Sequence, residues 1–232
     1  MHIAVLVTNT DDSAFAARHK SDGQKFDDLI RAFRPDWELT AFDLPTSEFP
    51  ADLADYDGFI IGGSPASVND DAAWIARLLS VIPQIVALDK PLFGACFGHQ
   101  AIAVALGGKV THNPGGWVFG VTETQVTDPA PWMQAGLIRL NAAHSEQVTQ
   151  VPLGAKVMGG NADCAAGFLR LGKRVFTTQY HPEITHDFMA ALVEEYAREV
   201  PPDVATAARQ SLGQPADAKQ MADWIIAFFE QA

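Results

Sequence analysis

Apolar and polar residues alternate in blocks along this chain, and the block lengths predict strands and helices in turn. The run Ile3 to Val7 is short and apolar throughout, the mark of a strand buried on both faces. From Gln24 to Phe33, the residues Phe26, Leu29, Ile30 and Phe33 recur at helical spacing and predict one buried stripe. Strands follow at Trp37 to Phe42 and at Gly58 to Ile61. A helix is expected from Asp70, placed as its cap, to Leu88, with Pro83 as a point where it can break. Phe93 to Cys96 reads as another buried strand, and Gln100 to Leu106 as an apolar helix. Such alternation requires crossover connections, hence a largely parallel sheet with helices on both faces.

After Gly107-Gly108 the period changes. Val118 to Val126 alternates apolar and polar residues as a half-solvated strand does. Short strands are expected at Lys156 to Met158, Ala166 to Leu171 and Arg174 to Gln179, which together imply an added antiparallel sheet. From Thr185 onward the pattern is helical, interrupted at Pro201-Pro202 and at Gly213-Gln214-Pro215. Trp224, Ile225, Phe228 and Phe229 form a core-facing stripe near its end. No repeat or linker sets this part apart, so it is expected to pack on the same domain.

Within this pattern one stretch carries chemistry. Phe93-Gly94-Ala95-Cys96-Phe97-Gly98-His99-Gln100 places a cysteine between glycines where a strand turns into a helix. Such a turn pushes one side chain out over the sheet edge, and the helix N-terminus directs its N–H groups at the thiol, favouring thiolate. Cysteines more often serve as small buried apolar residues, and Cys164 reads that way. Far downstream, Thr177-Thr178-Gln179-Tyr180-His181-Pro182-Glu183 ends a strand-like run and holds a candidate base, His181, and a candidate orienting carboxylate, Glu183. Pro182 fixes φ between them. Alone, this triplet is an ordinary strand-to-helix connection.

Composition narrows the classes. The chain has 232 residues, 48% of them hydrophobic and 19% charged, enough for a substantial core and most simply one domain. A formal net charge of -12 argues against nucleic acid and anionic lipid as partners. Two cysteines make no disulfide framework, and a catalytic thiol suits the reducing cytoplasm. Met1 to Val7 lacks a basic leader and reads as the first buried strand, and no apolar run reaches membrane-spanning length. The seven histidines include no metal-ligand pair at helical spacing, since His181 and His186 lie five apart.

Three motifs in order carry a resemblance. Gly62-Gly63-Ser64-Pro65 after a strand, the turn with Gly94, Cys96, Gly98 and Gln100, and the pair His181 and Glu183 resemble the class I glutamine amidotransferase domain. The similarity runs from about residue 1 to residue 190, leaving 191–232 as a C-terminal helical extension. It implies an α/β fold of three αβα layers: a mostly parallel, flavodoxin-like central sheet with a small antiparallel sheet beside it. By the same resemblance Cys96 is the nucleophile, His181 the base and Glu183 its orienting partner. The backbone N–H groups of Phe97 and Gly63 become the oxyanion hole, and Gly62, Gln100, His144 and Ser145 bind the substrate.

In Asn141-Ala142-Ala143-His144-Ser145-Glu146, however, Ala143 stands where the family has a polar residue, which weakens the case for free glutamine. Cys96 to Gln100 with Gly116 to Val121 is similar to stand-alone members, including plant γ-glutamyl peptidases and domains like the amidotransferase half of GMP synthase. The resemblance calls for no cofactor or metal. Its small-molecule substrate is glutamine or another γ-glutamyl compound, and released ammonia passes to a separate synthetase subunit or is simply lost. A non-catalytic subunit that keeps the fold is the remaining alternative. Phe15, Phe49 and Trp117 are aromatic candidates for a substrate entrance.

Overall fold

The structure of the chain, a computed structural model, describes residues 1–231. In chain order the elements are β1 (His2–Val7), α1 (Asp22–Arg31), β2 (Glu38–Asp43), β3 (Gly58–Ile61), α2 (Ala73–Ala87), β4 (Leu92–Ala95) and α3 (Phe97–Ala105). There follow β5 (Lys109–His112), β6 (Val118–Val126), β7 (Gly136–His144), β8 (Glu146–Gln150), β9 (Ala155–Gly160), β10 (Phe168–Leu171) and β11 (Val175–Thr178). Helices α4 (His186–Tyr196), α5 (Pro202–Ser211) and α6 (Ala218–Glu230) close the order.

Nine strands form one sheet in the order β2-β1-β3-β4-β11-β10-β9-β6-β7, and β5 pairs with β8 in a separate two-stranded sheet. From β2 to β11 the neighbours are parallel, and from β11 to β7 they are antiparallel. The α/β expectation of a mostly parallel central sheet between helical layers therefore holds. Most of the antiparallel strands continue that sheet, and β5 with β8 make the small separate one.

Two apolar cores cover the two faces. On one, Ile3 and Val5 of β1 and Phe93 of β4 pack with Phe26 and Ile30 of α1 and with Trp224, Ile225 and Phe228 of α6. On the other, Leu6, Phe59 and Ile61 pack with Ile75, Leu78 and Ile82 of α2 and with Phe97 and Ile102 of α3. Alternate residues of each strand serve opposite cores, so β3 and β4 read as apolar runs, while β11 is buried on both faces although its last two residues are Thr177 and Thr178. The helical stripe read near the end of the chain is α6. Emptying its fully buried Phe228 to alanine would cost about 3–5 kcal/mol.

Local signals behave unevenly. Ser21 caps α1 with a full capping box, its hydroxyl accepting from Gln24 N while the Gln24 side chain takes the Ser21 N–H. Asp70 does not cap α2. That helix starts at Ala73 after an extended Ala72, and the Asp70 carboxylate accepts instead from Ser67 N at 2.9 Å in the preceding turn. Nor does Pro83 break α2, because it sits on the exposed side, where a carbonyl left without its donor can meet water. Strands β5, β7 and β8 carried no strand signal. In β7 the buried positions include Asn141, Ala142 and His144, which obscure any apolar alternation. As the sheet's last strand β7 is not bare: Asp217 pairs with both backbone groups of Arg139, and His181 N donates to Asn141 O at 2.9 Å.

Candidate active site

Cys96 occupies the single residue between β4 and α3, at φ 49° and ψ -105°. A side chain in that region strains the backbone by about 1–3 kcal/mol, so the surroundings must hold it there. They do so from several sides. Cys96 N donates to Thr178 O at 2.9 Å, Gln100 N to Cys96 O at 3.1 Å, and Gly98 N to Gly62 O at 2.9 Å. Gly98 has to be glycine, since a Cβ there would land on the Ile61 carbonyl oxygen. Strand, turn and helix are thereby locked with the sulfur at the C-terminal edge of the sheet.

The candidate base arrives from β11, the strand beside β4. Three residues past the strand end, His181 is 8% exposed, and its Nδ1 lies 2.7 Å from Glu183 Oε1. With Nδ1 occupied, Nε2 is left without a hydrogen-bond partner among the described residues. Burial pulls the imidazole pKa down, but the negative charges of a Cys96 thiolate and of Glu183 outweigh it and lift the pKa well above the ordinary histidine value. Gly63 lies beside both groups. A Cβ on it would stand 2.6 Å from His181 Cε1 and 3.6 Å from Cys96 Cβ, so the ring can approach only because Gly63 has none. The N–H groups of Gly63 and Phe97 have no acceptor among the described residues and remain free to donate. Cys96, His181, Glu183, Gly63 and Phe97 are thus gathered at one point from three segments.

The remaining candidates are placed differently. Gly62 is already engaged, its N–H with Leu6 O at 3.3 Å and its carbonyl with Gly98 N and Thr8 Oγ1. Gln100 Nε2 donates to Glu146 O at 2.9 Å and to Gln179 Oε1 at 3.2 Å. His144 Nδ1 meets the same Glu146 carbonyl at 3.0 Å, and burial pushes its pKa down to about 4. Ser145 contributes its carbonyl to Asn113 N at 2.8 Å. His99, fully enclosed against Thr177 Oγ1, is driven by burial to about 3, and the Cys164 thiol is pushed up to about 12 by the same cause.

Two polar side chains at the site had no role in the sequence reading. Gln179 Nε2 reaches the Cys96 sulfur at 3.7 Å. Asn141 holds the turn that bears the base, its Nδ2 donating to Ile184 O at 2.7 Å while its carbonyl takes the His181 N–H. Both lie inside the quoted motifs, but only the fold joins Asn141 to residues some forty positions away.

A cavity of about 440 Å³ opens beside Gly63, Ala143, His181 and Glu183. Phe15 and Trp117 line it, as the entrance reading expected. Phe49 does not: it packs under Arg77, whose guanidinium lies 4.0 Å from its ring centroid, on the α2 side. Among the described residues no group of three or more His, Cys, Asp or Glu could hold a metal ion, and no helix is long and apolar enough to cross a membrane.

The family model Glutamine amidotransferase class-I matches residues 28–196. Gamma-glutamyl peptidase 3 of Arabidopsis thaliana is 28% identical over 202 residues, covering 82% of this chain and 80% of that protein. The glutamine-hydrolysing GMP synthase of an Azoarcus species is 33% identical over 141 residues, covering 56% of this chain but 26% of its own length. Among solved structures, a glutamine amidotransferase from Methylobacillus flagellatus superposes with a TM-score of 0.77 at 22% identity, covering 99% of this chain and 94% of that one. By the span of the matched model, the chain belongs to the class I glutamine amidotransferase family.

Proposed function

We propose that the protein hydrolyses γ-glutamyl amides through a covalent thioester, with Cys96 as nucleophile, His181 as proton carrier and Glu183 as its orienting partner. The observation that carries this reading is the strained Cys96 turn, set beside a His181–Glu183 pair at 2.7 Å. The sulfur attacks the γ-carbonyl carbon, and the oxyanion that forms is met by the N–H groups of Phe97 and Gly63. As the C–N bond breaks, His181 Nε2 gives its proton to the departing nitrogen. Water then adds to the thioester, His181 takes a proton from it, and glutamate leaves with the thiol restored.

Glutamine is the simplest such amide and ammonia its leaving group. GMP synthase relatives join this kind of domain to a longer protein, which supports a separate ammonia-accepting synthetase as a partner. A second reading, a γ-glutamyl peptidase, is favoured by the cavity beside His181 and by Ala143 on its wall. Gln100, His144 and Ser145 do not line that cavity and would serve the glutamyl end. A thiol nucleophile works in a reducing compartment, so the cytoplasm is the proposed location.

Incubation with a γ-electrophilic glutamine analogue should add its mass at Cys96. His181→Ala should abolish that labelling and turnover with the fold intact. A folded protein in which Cys96 stays unlabelled would instead support a non-catalytic subunit.

A further inference from the structure

The cavity beside His181 is far larger than a departing ammonia needs, and its walls are chemically uneven. We infer that it is a leaving-group site that selects amines with an aromatic or branched apolar body and no carboxylate. This rests on the γ-glutamyl hydrolase reading above. The cavity meets the site at Gly63 and His181, whereas Gln100, His144 and Ser145 are absent from its lining. The nitrogen that receives the His181 proton has to sit beside His181, so whatever that nitrogen carries extends into the cavity.

Two features define what fits there. Phe15, Phe119, Phe188, Leu192 and Val200 give the cavity an apolar wall. Asp11, Asp12 and Asp43 also line it, and among the described residues none of the three forms an ion pair. Asp43 Oδ1 is buried without any partner. The two lysines on the wall are each already paired with a carboxylate, Lys20 with Asp28 at 2.5 Å and Lys25, over the Phe188 ring, with Asp22 of the same wall at 2.8 Å, so neither offsets Asp11, Asp12 or Asp43. A carboxylate on the leaving group would meet uncompensated negative charge, while a phenyl or branched alkyl group would replace water against carbon. The step balances as for any amide: sulfur to carbon forms, carbon to nitrogen breaks, and the amine leaves with the proton from His181.

The test compares three substrates on the whole chain: glutamine, γ-glutamyl-2-phenylethylamide and γ-glutamyl-phenylalanine, the last two differing by one carboxylate. The phenylethylamide should exceed glutamine in kcat/KM by about tenfold to a hundredfold, the worth of burying a phenyl ring, and exceed γ-glutamyl-phenylalanine by about tenfold. Leu192→Trp, which fills the cavity, should shrink the advantage over glutamine by about tenfold. Asp12→Lys, at an exposed position where folding is not at stake, should raise γ-glutamyl-phenylalanine several-fold relative to the amide. Equal or better cleavage of γ-glutamyl-phenylalanine overturns the inference, as do ratios that neither variant moves. Cleavage of glutamine alone overturns it while leaving the hydrolase reading in place. No cleavage of any of the three, together with an unlabelled Cys96, removes both.

Discussion

The two halves of the nine-stranded sheet do different work. In the parallel half, strands β3, β4 and β11 are buried on both faces and end at Gly62-Gly63, Cys96 and Thr178, so the groups beyond them stand on rigid supports. In the antiparallel half, β6 and β7 mix buried with half-exposed and exposed residues. They supply the Asn141 clamp, the Ala143 wall and the Phe119 side of the cavity. On the proposed function the contrast separates reaction from selection: the parallel edge fixes Cys96 and the N–H groups of Gly63 and Phe97, and the antiparallel half shapes what reaches them. His181, the proposed base, belongs to both, hung from β11 and held by β7.

The contrast can be broken first at the sulfur. Cys96→Ala should lower kcat/KM by at least about 10³-fold in any γ-glutamyl amide assay, since nothing else at the site can form the thioester. Residual turnover near the parent rate would mean that another group attacks.

A large effect on stability should come from the enclosed histidines of the same region. His99 and His144 are held neutral by burial, at about 3 and about 4 against an ordinary 6.5. As pH falls below 6.5 the unfolded chain binds protons that the native chain refuses, so stability drops toward pH 4 by on the order of 5 kcal/mol. His181 has the opposite sign. Its raised value gives stability that is fully present below 6.5 and is lost as pH climbs through the folded value. Urea unfolding at pH 7 and pH 4.5 measures the fall, and His99→Asn, which can still reach Thr177, should reduce it by about half.

A smaller effect tests the clamp. Asn141→Ala leaves the Ile184 carbonyl without its donor at a cost of about 1–3 kcal/mol, and should lower kcat about tenfold to a hundredfold by loosening the turn that bears His181. An unchanged kcat with lowered stability would confine Asn141 to the fold. Glu183→Gln removes one of the charges that lift His181. The basic limb of the pH–rate profile should therefore move down in pH, where a merely structural change would scale the profile without shifting it.

The smallest effect runs the other way. Cys96→Gly should eliminate activity yet raise stability by about 1–2 kcal/mol in thermal unfolding, because glycine accepts φ 49° without strain. No gain would show that the turn stores no strain.

Much of this was legible in the chain itself. Strands β3 and β4, and β1 after His2, are apolar runs because both their faces are covered, and Cys96 stands out at its turn between glycines, whereas His181 and Glu183 gain meaning only beside it. Less legible were β5, β7 and β8 on either side of the strand at Val118 to Val126; in β7 the buried Asn141 and His144 interrupt the pattern that marks a strand. Asp70 had the right chemistry for a cap two residues too early, and the extended Ala72 took the cap position instead. Periodicity sees burial, and burial of polar groups depends on partners that are distant in sequence.

By its own order of residues, the chain determined which segments are buried on two faces, where a cysteine turns out of a strand, and that a His-Pro-Glu unit is stiff. Those are local matters of φ, side-chain size and spacing. Only the tertiary structure decided that Gly63 adjoins both Cys96 and His181, that Asn141 and Gln179 reach the site, and that a cavity lined by apolar side chains and by carboxylates opens on the His181 side. Each of these depends on which strand edge lies beside which. That is set by the packing of whole faces, which no short stretch of sequence records.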